Sequence, residues 1–258
     1  MTLEHCSSSH IVFKNLLEEV KVRTICIVLA SGNGTRFDGD IPKQFVRIGG
    51  RMVIEYTVDV CLETTAIDEV LVVVSKPWFE EVHTLFESRS VIKPIKVVVG
   101  GGSRMESCFN GIKALDEIEA KILVHNGVQP FITSETFTSC IEALDHYDVA
   151  TVGTPCVYTV LELDDRRELR RIVERSHSVN DLGPECFKLS MLRRIMSLND
   201  QGENFTNLTS FVLKHNLGRV YVVNGEPSNT KITYATDLID AERRLACRRG
   251  GGCGIAQV

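Results

Sequence analysis

With 258 residues, 43% of them hydrophobic and 24% charged, the chain has the length and composition of one α/β domain with room for a sizeable core. A formal net charge of -5 argues against a nucleic-acid-binding surface, because backbone phosphates select a basic face, but leaves room for a small anion in a local cationic loop. Nine cysteines, an odd number, are scattered without C-x-x-C or Cys/His ligand spacing, and Cys26, Cys61, Cys108 and Cys140 sit in apolar runs, so reduced thiols are expected in place of disulfides or zinc.

Residues 1–10 lack the cationic start and apolar block of a secretion signal, and no stretch is long enough to span a bilayer, which predicts a cytoplasmic protein without a membrane partner. Residues 11–22 suggest a short amphipathic helix and complete an N-terminal extension, residues 1–22, ahead of a main domain over residues 23–246. Thr24-Ile25-Cys26-Ile27-Val28-Leu29 is an unbroken apolar and β-branched run, the pattern of a strand buried on both faces of a parallel sheet. Ala30-Ser31-Gly32-Asn33-Gly34 follows at once. These small residues let the main chain approach a ligand, and successive N–H groups in such a turn form an anion-binding concavity. Arg36 and Lys43 add two cations to the same rim, which suits a polyphosphate. The segment lacks the Gly-Lys-Ser/Thr ending of a P-loop, and Phe37 occupies the place of the third glycine of a dinucleotide fingerprint, which disfavours a dehydrogenase-like cofactor site.

Further along, apolar spacing predicts a helix over 52–61, a strand over 69–75, a helix over 77–88 opened by Pro77, and a strand over 95–99. That strand runs into Gly100-Gly101-Gly102-Ser103-Arg104, where glycines and the start of a helix provide N–H groups for a ligand. Residues 121–126 predict a fourth strand, 137–146 a helix and 149–152 a strand. Two alternating segments around Asp164-Asp165-Arg166-Arg167 predict a β-hairpin arm over residues 157–176. A strand over 219–223, a closing helix over 235–245 and a flexible tail over 247–258 complete the chain. Strands alternating with helices imply a Rossmann-like α/β fold: a mostly parallel sheet, helices on both faces, and the protruding arm.

Taken together, Ala30-Ser31-Gly32-Asn33-Gly34-Thr35-Arg36 and Pro42-Lys43-Gln44-Phe45 resemble the opening motif of the methylerythritol-phosphate and ribitol-phosphate cytidylyltransferases. The likeness continues through Gly101, Arg104 and Ser107, through His125 and Pro130, through Pro155 and Thr159 of a Pro-Val-x-Asp-Thr segment, and through Gly225-Glu226-Pro227-Ser228-Asn229-Thr230-Lys231-Ile232-Thr233 with Asp237-Leu238. Gly225-Glu226 leans toward the ribitol branch. The resemblance implies CTP-dependent transfer of CMP to a small polyol phosphate, ribitol 5-phosphate-like, with methylerythritol phosphate or a phosphonate as other acceptors. It implies catalytic Arg36, Lys43 and Lys231, and a nucleotide site of Ala30, Ser31, Gly32, Asn33, Gly34, Gly101, Arg104 and Ser107. It also implies acceptor contacts from Thr159, Arg175 and Lys231, a Mg2+ cofactor near Asn126, and a homodimer formed through the arm. Several positions depart from the family pattern. Asn126 stands in the place of the metal-binding Asp, Gln129 in that of an Arg, Tyr158 in that of an Asp, Glu185 in that of a Gln, and Ser228 in that of a second Asp. These departures raise the alternative of a nucleotide-binding homologue with impaired turnover.

Overall fold

Thr24–Ala30 forms β1, buried along its whole length at the centre of a seven-stranded sheet. The computed structural model describes residues 22–32, 41–199 and 205–250. In chain order, β1 is followed by a small hairpin, β2 (Arg47–Ile48) and β3 (Arg51–Met52), then by α1 (Val53–Glu63) and β4 (Glu69–Val74). A 3-10 turn over Lys76–Trp78 opens α2 (Phe79–Glu87), and β5 (Ile95–Val99), α3 (Arg104–Lys113), β6 (Lys121–Asn126), α4 (Ser134–Ala143) and β7 (Val149–Pro155) follow. The arm is β8 (Val160–Leu163) and β9 (Leu169–Val173). Last come β10 (Val179–Lys188), α5 (Leu189–Leu198), α6 (Leu208–Lys214), β11 (Val220–Asn224) and α7 (Ala235–Gly250).

The sheet order is β11-β7-β10-β6-β1-β4-β5. Only β10 runs against its neighbours, β6 and β7, so the sheet is mostly parallel, as the sequence predicts. Residues alternate between its two faces. Cys26, Val28 and Ala30 of β1 pack with α1, α2 and α4, whereas Ile25, Ile27 and Leu29 pack with α3, α5 and α6. Both faces are therefore dry, which explains why β1 and β4 read as continuous apolar runs.

Three differences from the sequence reading have physical causes. Strand β10 and helix α5 were not legible, because Asn180, Asp181, Gly183 and Pro184 interrupt the strand pattern; the register slips between Asp181 and Glu185 to accommodate them. Helix α4 starts ahead of the predicted Phe137, since the Thr133 side chain accepts from the backbone N–H of Thr136 and caps it. Helix α7 continues to Gly250, past the predicted end at Leu245 and into the segment read as tail. The expected helix over 11–22 and residues 251–258 lie outside the described residues, save Val22, which the structure places just ahead of β1.

Cys26, Cys61, Cys108, Cys140, Cys156 and Cys186 are buried thiols outside any disulfide. The Cys61 Sγ lies 3.6 Å from that of Cys26. Its hydrogen bond, together with burial, pushes the Cys26 thiol well above the usual range, while burial pushes Cys108 up to about 12. No helix among the described residues is long and apolar enough to cross a membrane.

Candidate nucleotide and acceptor site

The exits of four parallel strands, β5, β4, β1 and β6, converge on one cavity of about 560 Å3, within the size range of small-ligand sites. Its walls include Ala30, Ser31 and Gly32 after β1, Ser75 after β4, Gly101 and Gly102 after β5, and Asn126 at the end of β6. Strands β1 and β6 are neighbours, and the connection from β1 runs to β4 on one side of the pair while that from β6 runs to β7 on the other. In open α/β sheets the crevice at such a reversal is where ligands bind.

The two glycine loops are locked to each other. The Ser31 hydroxyl donates to Ser107 Oγ at 2.7 Å, and Ser107 donates in turn to the Ser103 carbonyl at 2.8 Å and accepts from the Gly101 N–H at 3.0 Å. Ser107 is fully buried and does not line the cavity; it ties the walls together where the sequence reading made it a nucleotide contact. A Cβ on Gly100 would sit 2.6 Å from that of Ser31, so the loops approach this closely only because Gly100 has none. Gln44 fastens the other side. Its Nε2 donates to the carbonyls of Ala30 and Gly32, both at 2.8 Å, holding the β1 turn open toward the ligand.

Three cationic side chains from distant parts of the chain line this cavity: Lys43, Arg104 and Lys231. Arg104, in the first turn of α3, donates from Nη2 to the buried Glu185 of β10 at 2.9 Å. The other Glu185 oxygen accepts from the backbone N–H and hydroxyl of Thr209 at 2.7 and 2.9 Å. Glu185 thus neutralises Arg104 and fixes its direction. Lys231 arrives on the loop between β11 and α7. That loop is pinned by the Ile232 N–H to the Val128 carbonyl at 2.9 Å, and its end by Asp237 Oδ2, which accepts from the N–H groups of Thr233 and Tyr234 at 2.7 and 2.8 Å.

Behind Asn126 lies a chain of amides. Asn126 Nδ2 donates to Gln129 Oε1 at 2.6 Å, and Gln129 Nε2 donates to the Leu182 carbonyl at 2.6 Å. His125, fully buried beside it and edge-on to Phe137, contacts the Gln129 carbonyl through Nε2 at 3.2 Å. Burial pushes the imidazole down to about 4, and the charges of Lys231 and Arg104 push the same way against the Gln129 hydrogen bond. His125 is a neutral structural group near neutral pH.

Of the predicted site residues, the structure brings Ala30, Ser31, Gly32, Lys43, Gly101, Arg104, Asn126 and Lys231 to one cavity. Asn33, Gly34 and Arg36 lie outside the described residues. Thr159 and Arg175 are exposed at the base of the arm and do not line the cavity of their own chain. Sequence reasoning placed Gly100 in the ligand loop and Glu185 in a family motif, but missed the packing of Gly100 on Ser31 and the pairing of Glu185 with Arg104 that build the site. An acidic residue inside the Cys186-Phe187 strand is the signal that could have flagged Glu185.

Mg2+ binds hard oxygen ligands, commonly one or two carboxylates, and keeps several waters. The described lining residues contribute the Asn126 carboxamide and hydroxyls but no carboxylate. Among the described residues no cluster of three or more His, Cys, Asp or Glu is arranged to hold a metal ion. This donor set does not fit a resident Mg2+ site.

Residues 24–246 match the sequence profile of the family described as 2-C-methyl-D-erythritol 4-phosphate cytidylyltransferase, IspD. The chain is 31% identical over 233 residues to the bifunctional ribulose 5-phosphate reductase/CDP-ribitol pyrophosphorylase Bcs1 of Haemophilus influenzae, covering 88% of this chain and 49%, about half, of that protein. It is equally 31% identical over 232 residues to the 2-C-methyl-D-erythritol 4-phosphate cytidylyltransferase of Bifidobacterium longum subsp. infantis, covering 86% of this chain and 80% of the relative. The crystal structure of 4-diphosphocytidyl-2C-methyl-D-erythritol synthase from Anaerococcus prevotii superposes with a TM-score of 0.77 at 28% identity, over 87% of this chain and 99% of that one. The chain therefore belongs to the IspD family of cytidylyltransferases, which are nucleotidyltransferases.

Proposed function

We propose that this protein transfers CMP from CTP to a small polyol phosphate, ribitol 5-phosphate-like, with release of pyrophosphate. The observation that carries the reading is the meeting of Lys43 and Lys231, from opposite ends of the domain, with the Ser31-Gly32 turn around one cavity. An acceptor phosphate oxygen attacks the α-phosphorus of CTP. The bond from that phosphorus to the bridging oxygen breaks, and pyrophosphate leaves with the electron pair. A phosphate dianion is already a nucleophile, so the protein's work is alignment and charge stabilisation, and no general base is required. Lys43, with Arg36 beside it in sequence, acts on the triphosphate, Lys231 lies between the two anions, and Gly101 and Arg104 face the nucleoside.

Thr159 and Arg175 enter this scheme through a second copy of the chain. Hairpin β8–β9 pairs with no other strand among the described residues, and Leu161, Leu163, Leu169 and Ile172 are exposed along it. A homodimer in which each arm covers its neighbour would bury these side chains and carry both acceptor contacts to the other cavity. The buried thiols fit a reducing, cytoplasmic setting.

The ribitol reading is favoured by the Haemophilus relative and by Gly225-Glu226. Methylerythritol phosphate, named in the Bifidobacterium relative, is the other acceptor to try, along with phosphonates. Retention of the nucleotide pocket without turnover is a second reading, motivated by the neutral Asn126–Gln129 pair. Pyrophosphate release from CTP is to be measured over a panel of polyol phosphates and phosphonates. Release with ribitol 5-phosphate supports the main reading, whereas CTP binding with no release for any acceptor supports the second.

A further inference from the structure

We infer that Trp78 is a positioning residue for Lys43: its indole, stacked on Phe45, holds the turn that carries the lysine at the cavity wall. The inference rests on the nucleotide site proposed above and adds a residue that acts on that site from behind its wall.

The lysine sits at the corner of a tight turn. The Phe45 N–H donates to the Pro42 carbonyl at 2.8 Å, so Lys43 and Gln44 form the bend between them. On one flank the Gln44 side chain reaches the β1 turn, and the Gln44 carbonyl accepts from the Ile54 N–H at 3.0 Å, at the start of α1. On the other flank the Phe45 ring lies against the Trp78 ring, with centroids 4.3 Å apart and planes inclined by 19°. Phe45 is buried although it belongs to a loop, and the half-buried indole covers one of its faces.

Trp78 is itself firmly placed. Pro77 fixes the backbone of the 3-10 turn, and the Trp78 N–H donates to the Ser75 carbonyl at 3.0 Å. Ser75 lines the same cavity as Lys43 and Gln44, so the ring stack joins two of its walls, the β4 exit and the lysine turn. A pair of aromatic rings has preferred distances and angles, which an aliphatic contact lacks. The stack therefore sets where the turn stands as well as keeping water from Phe45. A catalytic group misplaced by about 1 Å can lose as much as a hundredfold in rate, so a support of this kind bears on the reaction without touching substrate.

The test is a double-mutant cycle in the full-length protein, combining Trp78→Ala with Lys43→Ala. It reads kcat and KM for CTP and for ribitol 5-phosphate, together with CTP affinity by calorimetry. Trp78→Ala alone is expected to raise the KM and the dissociation constant for CTP about tenfold, and to leave the acceptor KM within about twofold. Trp78→Phe keeps a ring for the stack and should recover most of the loss. On the Lys43→Ala background, Trp78→Ala should change the CTP constants by no more than about twofold, because the residue it positions is gone. Trp78→Leu, apolar but without a flat face, replaces Trp78→Ala in the cycle if the latter does not fold. Equal losses on both backgrounds, or CTP constants that Trp78→Ala leaves unchanged, overturn this inference and leave the proposed function standing. Failure of the unmodified protein to bind CTP overturns the proposed function and this inference with it.

Discussion

The Ile232 N–H bonds to the Val128 carbonyl at 2.9 Å, and through this bond the lysine loop near the C-terminus is fixed to the exit of β6. Ile232 is also buried against Val128, Phe131 and Leu238. Lys231 is thereby held at the wall of the cavity that it shares with the β1 turn. Preorganised charge of this kind is commonly the largest single contribution to transfer chemistry. Lys231→Ala is expected to lower kcat/KM for pyrophosphate release about a hundredfold, or ~3 kcal/mol, with the thermal midpoint little changed. An unaltered rate would remove Lys231 from the site.

Close approach of Gly100 to Ser31 makes a second prediction. In Gly100→Ala the new methyl meets the Ser31 Cβ at 2.6 Å, and the loops must part at a cost of about 1–3 kcal/mol in stability, with weaker CTP binding. Removing the opposing Cβ in Gly100→Ala/Ser31→Gly should recover part of the loss. Equal stability for the single and double variants, measured by denaturant titration, would contradict this account.

Glu185 is enclosed and holds both Arg104 and Thr209. Glu185→Ala leaves a guanidinium without its counter-charge at the cavity wall, and should destabilise the fold by roughly 3 kcal/mol. Glu185→Gln keeps the side-chain shape and one oxygen to accept from Thr209, exchanges the Arg104-facing acceptor for an NH2 group, and should cost less. The ranking is read from urea midpoints, and similar losses for both variants would mean that the charge alone, and not the shape and remaining hydrogen bonds of the side chain, is what Glu185 supplies.

Acid should loosen the protein through His125. Its folded pKa is depressed from 6.5 to about 4, so below pH 6.5 the unfolded chain takes up a proton that the folded one refuses. The contribution of His125 is fully present above pH 6.5, is lost as pH falls toward 4, and amounts to roughly 3 kcal/mol at most. Urea titrations across that interval should show a shallower decline in His125→Asn than in the unmodified protein. Parallel pH profiles would exclude His125 as the source.

Leu161 and Ile172 face each other across the arm, and both are exposed. Charging one side of this apolar surface, as Leu161→Asp, should turn a dimer into single chains and reduce turnover through loss of the neighbour's Thr159 and Arg175. Sedimentation velocity run beside the pyrophosphate assay tests both parts. A variant that stays dimeric would place the interface elsewhere.

Much of this arrangement was legible in the chain because it follows from local rules. The apolar runs of β1 and β4, the small residues of the first turn and the glycines after β5 each state their conformation within a few residues. Lys231 and Asp237 were legible through family likeness, and the structure supplies the reason for their spacing: Asp237 closes the loop that carries the lysine. Glu185 was hidden because its partners Arg104 and Thr209 lie far away along the chain, and no periodicity announces such a pair. Strand β10 was hidden because sheet pairing on both sides overrides the turn residues within it. Thr159 and Arg175 sit on a segment whose counterpart belongs to another molecule in the proposed dimer, so a single chain does not reveal their destination.

The thiols packed beneath β1 have a practical consequence. Cys26, Cys61, Cys140 and Cys186 come from two strands and two helices that share one core, and all are fully enclosed. A cysteine-reactive dye can meet them only when that core opens, whereas partly exposed Cys247 is within reach of solvent in the native fold. The rate at which these four positions acquire label therefore times the breathing of the sheet, and it would slow when a ligand clamps the strand ends above them.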